Sequence, residues 1–396
     1  MTVILLIVSA VLLFVSLWIV VPAPNMTLIA FGVGAPELSP ALFALSIVSL
    51  ILAATLGAGL LGRIAIVLSL GAVVLTSLPI IQFLAAVGGL DAAFTEGVPR
   101  AQLDGDFARN SRFSVREFFL GVSTDSVRVT RGIVFAQPDG QSLSLDVYRP
   151  IDSANHPVVV QLYGGAWQRG APGDNETFAR WLASHGYTVF AIDYRHAPQW
   201  QWPAQRDDVQ AALAWIASHA GEHGGDASRV VLVGRSAGAQ LALVAAYTND
   251  VPKISAVVSF YGPTDLLEGW RVPPQPDPLP VRPTLEAYLG GTPETMGGRY
   301  RDASPISYTS SRVPPTLLLY GTRDHIVEAR FGRELHERLR SAGAVSVLLE
   351  IPWAEHAFDL LPNGLGGQLS LYYVERFLAA TLPESTPNLQ LPTSKR

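Results

Sequence analysis

The pentapeptide Gly234-Arg235-Ser236-Ala237-Gly238, directly behind the apolar run Val230-Val231-Leu232-Val233, constrains this chain more than any other feature. A serine that is to act as a nucleophile needs its Oγ lifted clear of the backbone, and a sharp strand-to-helix turn does that. Glycines on either side let the chain pass without Cβ clashes. Residues 237–243, Ala-Gly-Ala-Gln-Leu-Ala-Leu, read as the helix that follows. Taken alone the motif also fits an ordinary tight turn, so its meaning depends on what surrounds it.

The surroundings repeat one arrangement. Apolar runs at 158–162, 187–192, 230–233, 254–260, 316–320 and 345–351 read as strands, and helical patterns at 177–184, 205–219 and 328–341 fall between them. A leading hairpin turns around Pro138-Asp139-Gly140. Such alternation predicts an α/β fold, a mostly parallel sheet with helices on both faces. Three more polar sites then stand at strand ends, where an open α/β sheet gathers its functional groups. Tyr163-Gly164-Gly165-Ala166-Trp167 follows the first run, Asp324 the run 316–320, and His356 the run 345–351. The glycine pair can turn backbone N–H groups of Gly165 and Ala166 towards a developing oxyanion beside the N–H of Ala237. The order serine, acid, histidine is the one this kind of sheet uses.

These segments resemble the α/β-hydrolase superfamily, and within it the carboxylesterases and acyl hydrolases related to hormone-sensitive lipase, feruloyl esterases and kynurenine formamidases. Ile192-Asp193-Tyr194-Arg195-His196-Ala197-Pro198 is similar to that group's DYRxAP segment, and 259–265 and 303–306 match as well. The resemblance runs from about residue 127 to 380. It implies a serine hydrolase with Ser236 as nucleophile, His356 as base and Asp324 holding the imidazole, with no cofactor and no metal. One departure stands out: Tyr163 occupies the place of the histidine in the group's HGG motif, which supports the oxyanion loop.

The N-terminal quarter follows another pattern. Residues 2–21, 40–62 and 64–90 carry no charge, and each is long enough for the ~20 residues a helix needs to cross the hydrocarbon core. Three transmembrane helices are therefore expected in an anchor over 1–90. Arg63 between the second and third stretches, with no Lys or Arg in the loop 22–39, puts the N-terminus in the cytoplasm and the hydrolase domain outside, while Arg100, Arg109 and Arg112 after the third stretch argue mildly the other way. A polar connector over 91–121 carries Phe113, Phe118 and Phe119. A catalytic domain is expected over 122–383, with a partial cap at 264–312, stiff and non-helical where prolines cluster from Pro273 to Pro283, and a disordered tail over 384–396.

His325 adjoins the proposed acid, and His336 lies in a charged helix face, which leaves His356 as base. Asp302 and Asp359 are the rivals of Asp324. Trp167 is expected in the pocket wall, and Asp193 with Arg195 as a structural pair. His219-Ala220-Gly221-Glu222-His223 matches a zinc-protease spacing, but Gly221 interrupts the helix that spacing needs. A formal net charge of −5 without a basic cluster gives no footing for nucleic acid, and the absence of cysteine excludes disulfides and thiolate chemistry. The expected partners are a small-molecule or lipid ester and the membrane. Acyl transfer, amide cleavage or a retired scaffold are the alternatives on the same residues, and the oligomeric state is left open.

Overall fold

The computed structural model describes residues 1–98, 107, 109–124, 126–249 and 251–382. The tail expected to be disordered, 384–396, lies outside the described residues. Four helices open the chain: α1 (Thr2–Leu17), α2 (Met26–Glu37), α3 (Ser39–Leu56) and α4 (Gly59–Gly97); a short α5 (Val115–Leu120) follows. By length and composition α3 and α4 could cross a membrane, whereas α1 has only 16 residues. These three pack with small residues inwards. The hydroxyls of Ser9, Ser49 and Ser69 meet at 2.9–3.1 Å, and Ala53, Ala65 and Ala72 are fully buried, while Leu, Ile and Val point outwards.

The helical segment departs from expectation in three places. The break between the second and third stretches falls at Gly57-Ala58, because a Cβ at Gly57 would sit 3.0 Å from Gly62 Cα. Arg63 is consequently inside α4. Segment 22–39 was expected as a loop but contains α2, capped by Asn25, whose side chain accepts the N–H groups of Thr27 and Leu28 at 3.1 Å. The third stretch does not stop at Leu90; α4 continues to Gly97 across the start of the expected connector. Among the described residues two helices, not three, meet the length and composition of a span.

Eight strands form one mixed sheet: β1 (Val127–Ala136), β2 (Leu143–Pro150), β3 (His156–Leu162), β4 (Thr188–Ile192), β5 (Gly225–Arg235), β6 (Ile254–Phe260), β7 (Thr316–Gly321) and β8 (Ser346–Ile351). Their order is β1-β2-β4-β3-β5-β6-β7-β8, parallel from β4 to β8, with β1 and β2 antiparallel at one edge. Every residue of β3 and β7 is buried, so both faces of the sheet are covered. The covering helices are α6 (Glu176–Ser184), α7 (Ala204–His219), α8 (Ala237–Thr248), α12 (Arg330–Ser341) and α13 (Leu365–Thr381). At the β8 edge α4 lies against the strand, its Gly97 beside Ser346 and Val347. That covers an edge whose unpaired backbone would otherwise be a template for aggregation.

Between β6 and β7 the insertion forms three helices: α9 (Leu266–Arg271), α10 (Val281–Leu289) and α11 (Pro293–Asp302). The proline-rich part is therefore not wholly non-helical. Pro283 lies in the first turn of α10 and Pro293 opens α11, positions where the missing N–H costs no helical bond.

Candidate active site

Ser236 sits between β5 and α8 at φ 52° and ψ −120°, a strained backbone for a residue with a Cβ. Its own N–H donates to the Phe260 carbonyl at 2.9 Å, which pins the turn to β6. Gly238 is required by crowding, since a Cβ there would drive into the carbonyl oxygens of Leu162 and Tyr163 at the end of β3. The motif glycines thus let α8 pass close to the neighbouring strand while Oγ stands clear.

The structure brings the three expected side chains together. His356 Nε2 lies 3.0 Å from Ser236 Oγ, and its Nδ1 lies 2.7 Å from Asp324 Oδ2. The other oxygen of Asp324 accepts the N–H groups of Ile326 and Val327 at 2.8 and 2.7 Å. Burial pushes the Asp324 carboxyl up, against the opposing pull of His356. The Tyr261 ring packs against the imidazole with centroids 4.5 Å apart.

The rivals are occupied elsewhere. Asp359 accepts from Tyr261 Oη and, at 2.5 Å, from Arg235 Nε. Asp302 accepts from Trp202 Nε1 at 2.7 Å and Tyr308 Oη at 2.8 Å. His336 bonds to Ser346 Oγ, and the His325 imidazole, 2.5 Å from Glu355, is pushed above its ordinary value by that carboxylate. His219 stacks flat on Trp215, and the helix ends there.

Beside Ser236 three consecutive residues take positive φ: Gly165 at 134°, Ala166 at 55° and Trp167 at 59°. Ala237 is the first residue of α8, so its N–H has no acceptor within the helix. Ala166, Trp167, Ser236 and Ala237 all line one cavity. Most of its remaining wall is apolar and comes from the insertion and the start of α12, through Leu266, Leu285 and Phe331. Trp167 stacks on Tyr288 of α10, centroids 4.1 Å apart, and donates from Nε1 to Gln240 Oε1 at 2.8 Å.

Tyr163, the departure noted above, is fully anchored. Its ring stacks on Tyr194 at 4.4 Å; Oη donates to Asp193 Oδ1 at 2.5 Å and lies 2.9 Å from His196 Nε2. Burial pushes the phenol far up, so it stays a donor. The expected pairing of Asp193 with Arg195 does not occur. Asp193 serves Tyr163, while the Arg195 guanidinium meets buried Asp208 at 2.8 Å and also Asp139.

Several contributors had no sequence signal. Gln240 is fully buried, accepts from Trp167 and Tyr288, and donates to the Ala303 carbonyl at 2.6 Å, tying the insertion to α8. The Arg235 guanidinium, beyond its bond to Asp359, lies over the rings of Phe178 and Phe260 at 4.3 and 4.7 Å. Glu37, at the end of α2, reaches into the segment that carries His356. It accepts from Trp353 Nε1 at 3.2 Å and from the N–H groups of Gly366 and Gly367 at 2.6 and 3.3 Å. Burial pushes its carboxyl up to about 8, only partly offset by those three donors.

Comparison with known proteins is consistent with this geometry. The BD-FAE family model matches residues 145–339. Probable carboxylic ester hydrolase LipM of Mycobacterium tuberculosis is 34% identical over 257 residues, which is 61% of this chain and 58% of that protein. Esterase LipQ of the same organism is 32% identical over 239 residues, 56% of each. The chain therefore spans little more than half the length of these curated relatives. Among solved structures, the Est2 esterase of Thermogutta terrifontis has a TM-score of 0.53 at 25% identity, covering 64% of this chain and 92% of that one. The carboxylesterase EstE1 from a metagenomic library shares the fold at a TM-score of 0.57 and 23% identity, covering 68% and 94%.

Proposed function

We propose, from the premise that the chain belongs to the α/β-hydrolase esterase group, that it is a membrane-anchored serine hydrolase cleaving carboxylic esters through an acyl-enzyme. The observation that carries the reading is the unbroken chain of contacts from Ser236 Oγ through His356 to Asp324. In the first step His356 Nε2 takes the hydroxyl proton as Oγ attacks the ester carbonyl. Asp324 fixes the Nδ1–H tautomer and stabilises the imidazolium. The N–H groups of Ala237, Gly165 and Ala166 receive the negative charge on the carbonyl oxygen. His356 returns the proton to the leaving alcohol, and a water activated by the same imidazole releases the acid. Trp167 and the insertion bound the site where the acyl or alcohol part lies. The anchored Tyr163 supports a working oxyanion loop and speaks against a retired scaffold.

For the anchor, α1, α3 and α4 serve as three spans within residues 1–90, with 91–121 as connector and 122–383 as catalytic unit. Support comes from their outward apolar side chains and their shared serine cluster. Because α2 touches the hydrolase, the N-terminus and Arg63 lie at the opposite end of the bundle. The positive-inside rule then leaves the hydrolase outside the cytoplasm.

The test is hydrolysis of p-nitrophenyl esters by detergent-purified full-length protein. Ser236→Ala should lower kcat by at least about 10,000-fold and abolish fluorophosphonate labelling, with an unchanged melting temperature. Turnover surviving in that variant would refute the assignment.

A further inference from the structure

The direction of α4 fixes which end of the sheet approaches the apolar helices. Gly97 lies against Ser346 and Val347 at the start of β8. The Phe83 ring packs on Trp353, just past the end of β8, with centroids 5.7 Å apart. The two elements thus run in opposite directions, and the uncharged run 64–81 continues from Phe83 beyond the carboxyl end of β8. Ser236, Asp324 and His356 all stand at carboxyl ends of parallel strands. Ser236 follows β5, three strand spacings or about 14 Å from β8.

Further contacts hold this end against the helical segment. Glu37 bonds to Trp353 and the first turn of α13, and a Cβ at Gly32 would lie 3.8 Å from Glu355 Cγ. The Phe113 ring lies 6.0 Å from Phe83, and Asn363 donates to the Phe118 carbonyl at 2.8 Å, which sets α5 at the same level. There Phe119 and Leu120 are 65% and 75% exposed, and Leu360 of the His356 segment is 57% exposed. These side chains continue the apolar exterior of the spans onto the hydrolase. Bilayer headgroups and upper acyl chains are the partner such a surface fits. The cavity at Ser236 opens at this same end of the sheet, and its wall is apolar.

We propose that the ester this site takes is held in the bilayer, a lipid-borne acyl ester that reaches Ser236 from the membrane surface rather than from bulk water. The inference rests on the hydrolase reading above and narrows its substrate class. Facing the bilayer raises the local concentration of such an ester and spares its transfer through water.

Full-length protein reconstituted in phosphatidylcholine vesicles containing a p-nitrophenyl palmitate tests this, with water-soluble p-nitrophenyl acetate as reference. At a fixed mole fraction of palmitate, diluting the vesicles about tenfold should leave turnover per enzyme unchanged, because the bilayer sets the effective concentration. A rate falling in proportion to dilution overturns the proposal. The pair Phe119→Asp and Leu120→Asp should lower the ratio of palmitate to acetate turnover by about tenfold. An unchanged ratio counts against this route. Acetate turnover without any palmitate turnover overturns the proposal and spares the hydrolase. Absence of Ser236-dependent turnover of both esters instead refutes the hydrolase itself. A chain stripped from the vesicles by alkaline carbonate refutes the anchor and the proposal with it.

Discussion

The two halves of this molecule bury opposite kinds of side chain. In the sheet domain, Val, Leu, Ile and aromatic residues fill the interior from β2 to α13. In α1, α3 and α4 the interior is built largely from Ser, Ala, Gly and Thr, with Leu5 and Leu12 beside them, and most of the large apolar side chains that face outwards lie before residue 85. Water drives the first arrangement, because apolar surface is expelled from it. It does not drive the second if these helices lie in a bilayer, as proposed. Helices surrounded by hydrocarbon gain nothing from hiding Leu, and associate instead through close small-residue packing and hydroxyl contacts. In the proposed anchor, one chain is fitted to two solvents and α4 passes through both.

The largest effect that would sharpen the contrast comes from charge inside the sheet domain. Arg235→Met leaves Asp359 buried without its cation and should cost about 3–5 kcal/mol, read by denaturant melting of the purified protein. A loss below about 1 kcal/mol would show Asp359 to be well solvated.

Outward-facing valines give the next test. Val67 on α4 and Val134 on β1 are both exposed, at 67% and 48%. Val67→Asp should cost roughly 2.5–3.5 kcal/mol in membrane insertion, whereas Val134→Asp should stay within about 0.5 kcal/mol in water. Equal tolerance at the two positions would break the comparison outright, and glycosylation-site mapping or carbonate extraction reads it.

Glu37 lies where the two regions meet, and its sign is definite. Its carboxyl holds a proton more tightly when folded, about 8 against the ordinary 4.5, so the folded state is favoured at low pH. That contribution is lost as pH rises from about 4.5 through about 8, at up to roughly 1.4 kcal/mol per pH unit. The negative charge of Asp359, the other acid facing it, adds to the upward push on the Glu37 carboxyl. Glu37→Gln removes the titration, so the difference in melting temperature between wild type and variant should narrow or reverse from pH 5 to pH 9. A parallel pH dependence in both proteins would exclude Glu37 as its source.

The smallest effect is in the helical bundle. Ser49→Ala removes the hydroxyl between Ser9 and Ser69 and should cost only about 0.6 kcal/mol, measured by steric trapping or by thermal stability in detergent. A loss of several kcal/mol would mean that the cluster acts as a buried polar core does in water.

The sequence by itself determined the features that are local. Apolar runs bounded by turn residues marked β3, β4, β6, β7 and β8 to within two residues, whereas β5 starts five residues before its apolar run; the glycines around Ser236 marked the turn. Asp324 and His356 were legible because a strand end is a position in sequence as well as in space. Only the tertiary structure decided what depended on partners far along the chain. The α3–α4 break at Gly57 was hidden because an uncharged apolar run carries no mark of where it folds back. Helix α2 was hidden in a short segment without clear helical periodicity, and the docking of Glu37 on Trp353 and Gly366 joins residues more than three hundred positions apart. The same holds for Gln240 beneath Trp167, for Tyr163 on Asp193 and for Arg235 on Asp359. A polar side chain's role is set by which donor or acceptor the fold brings to it, and spacing along the chain does not encode that.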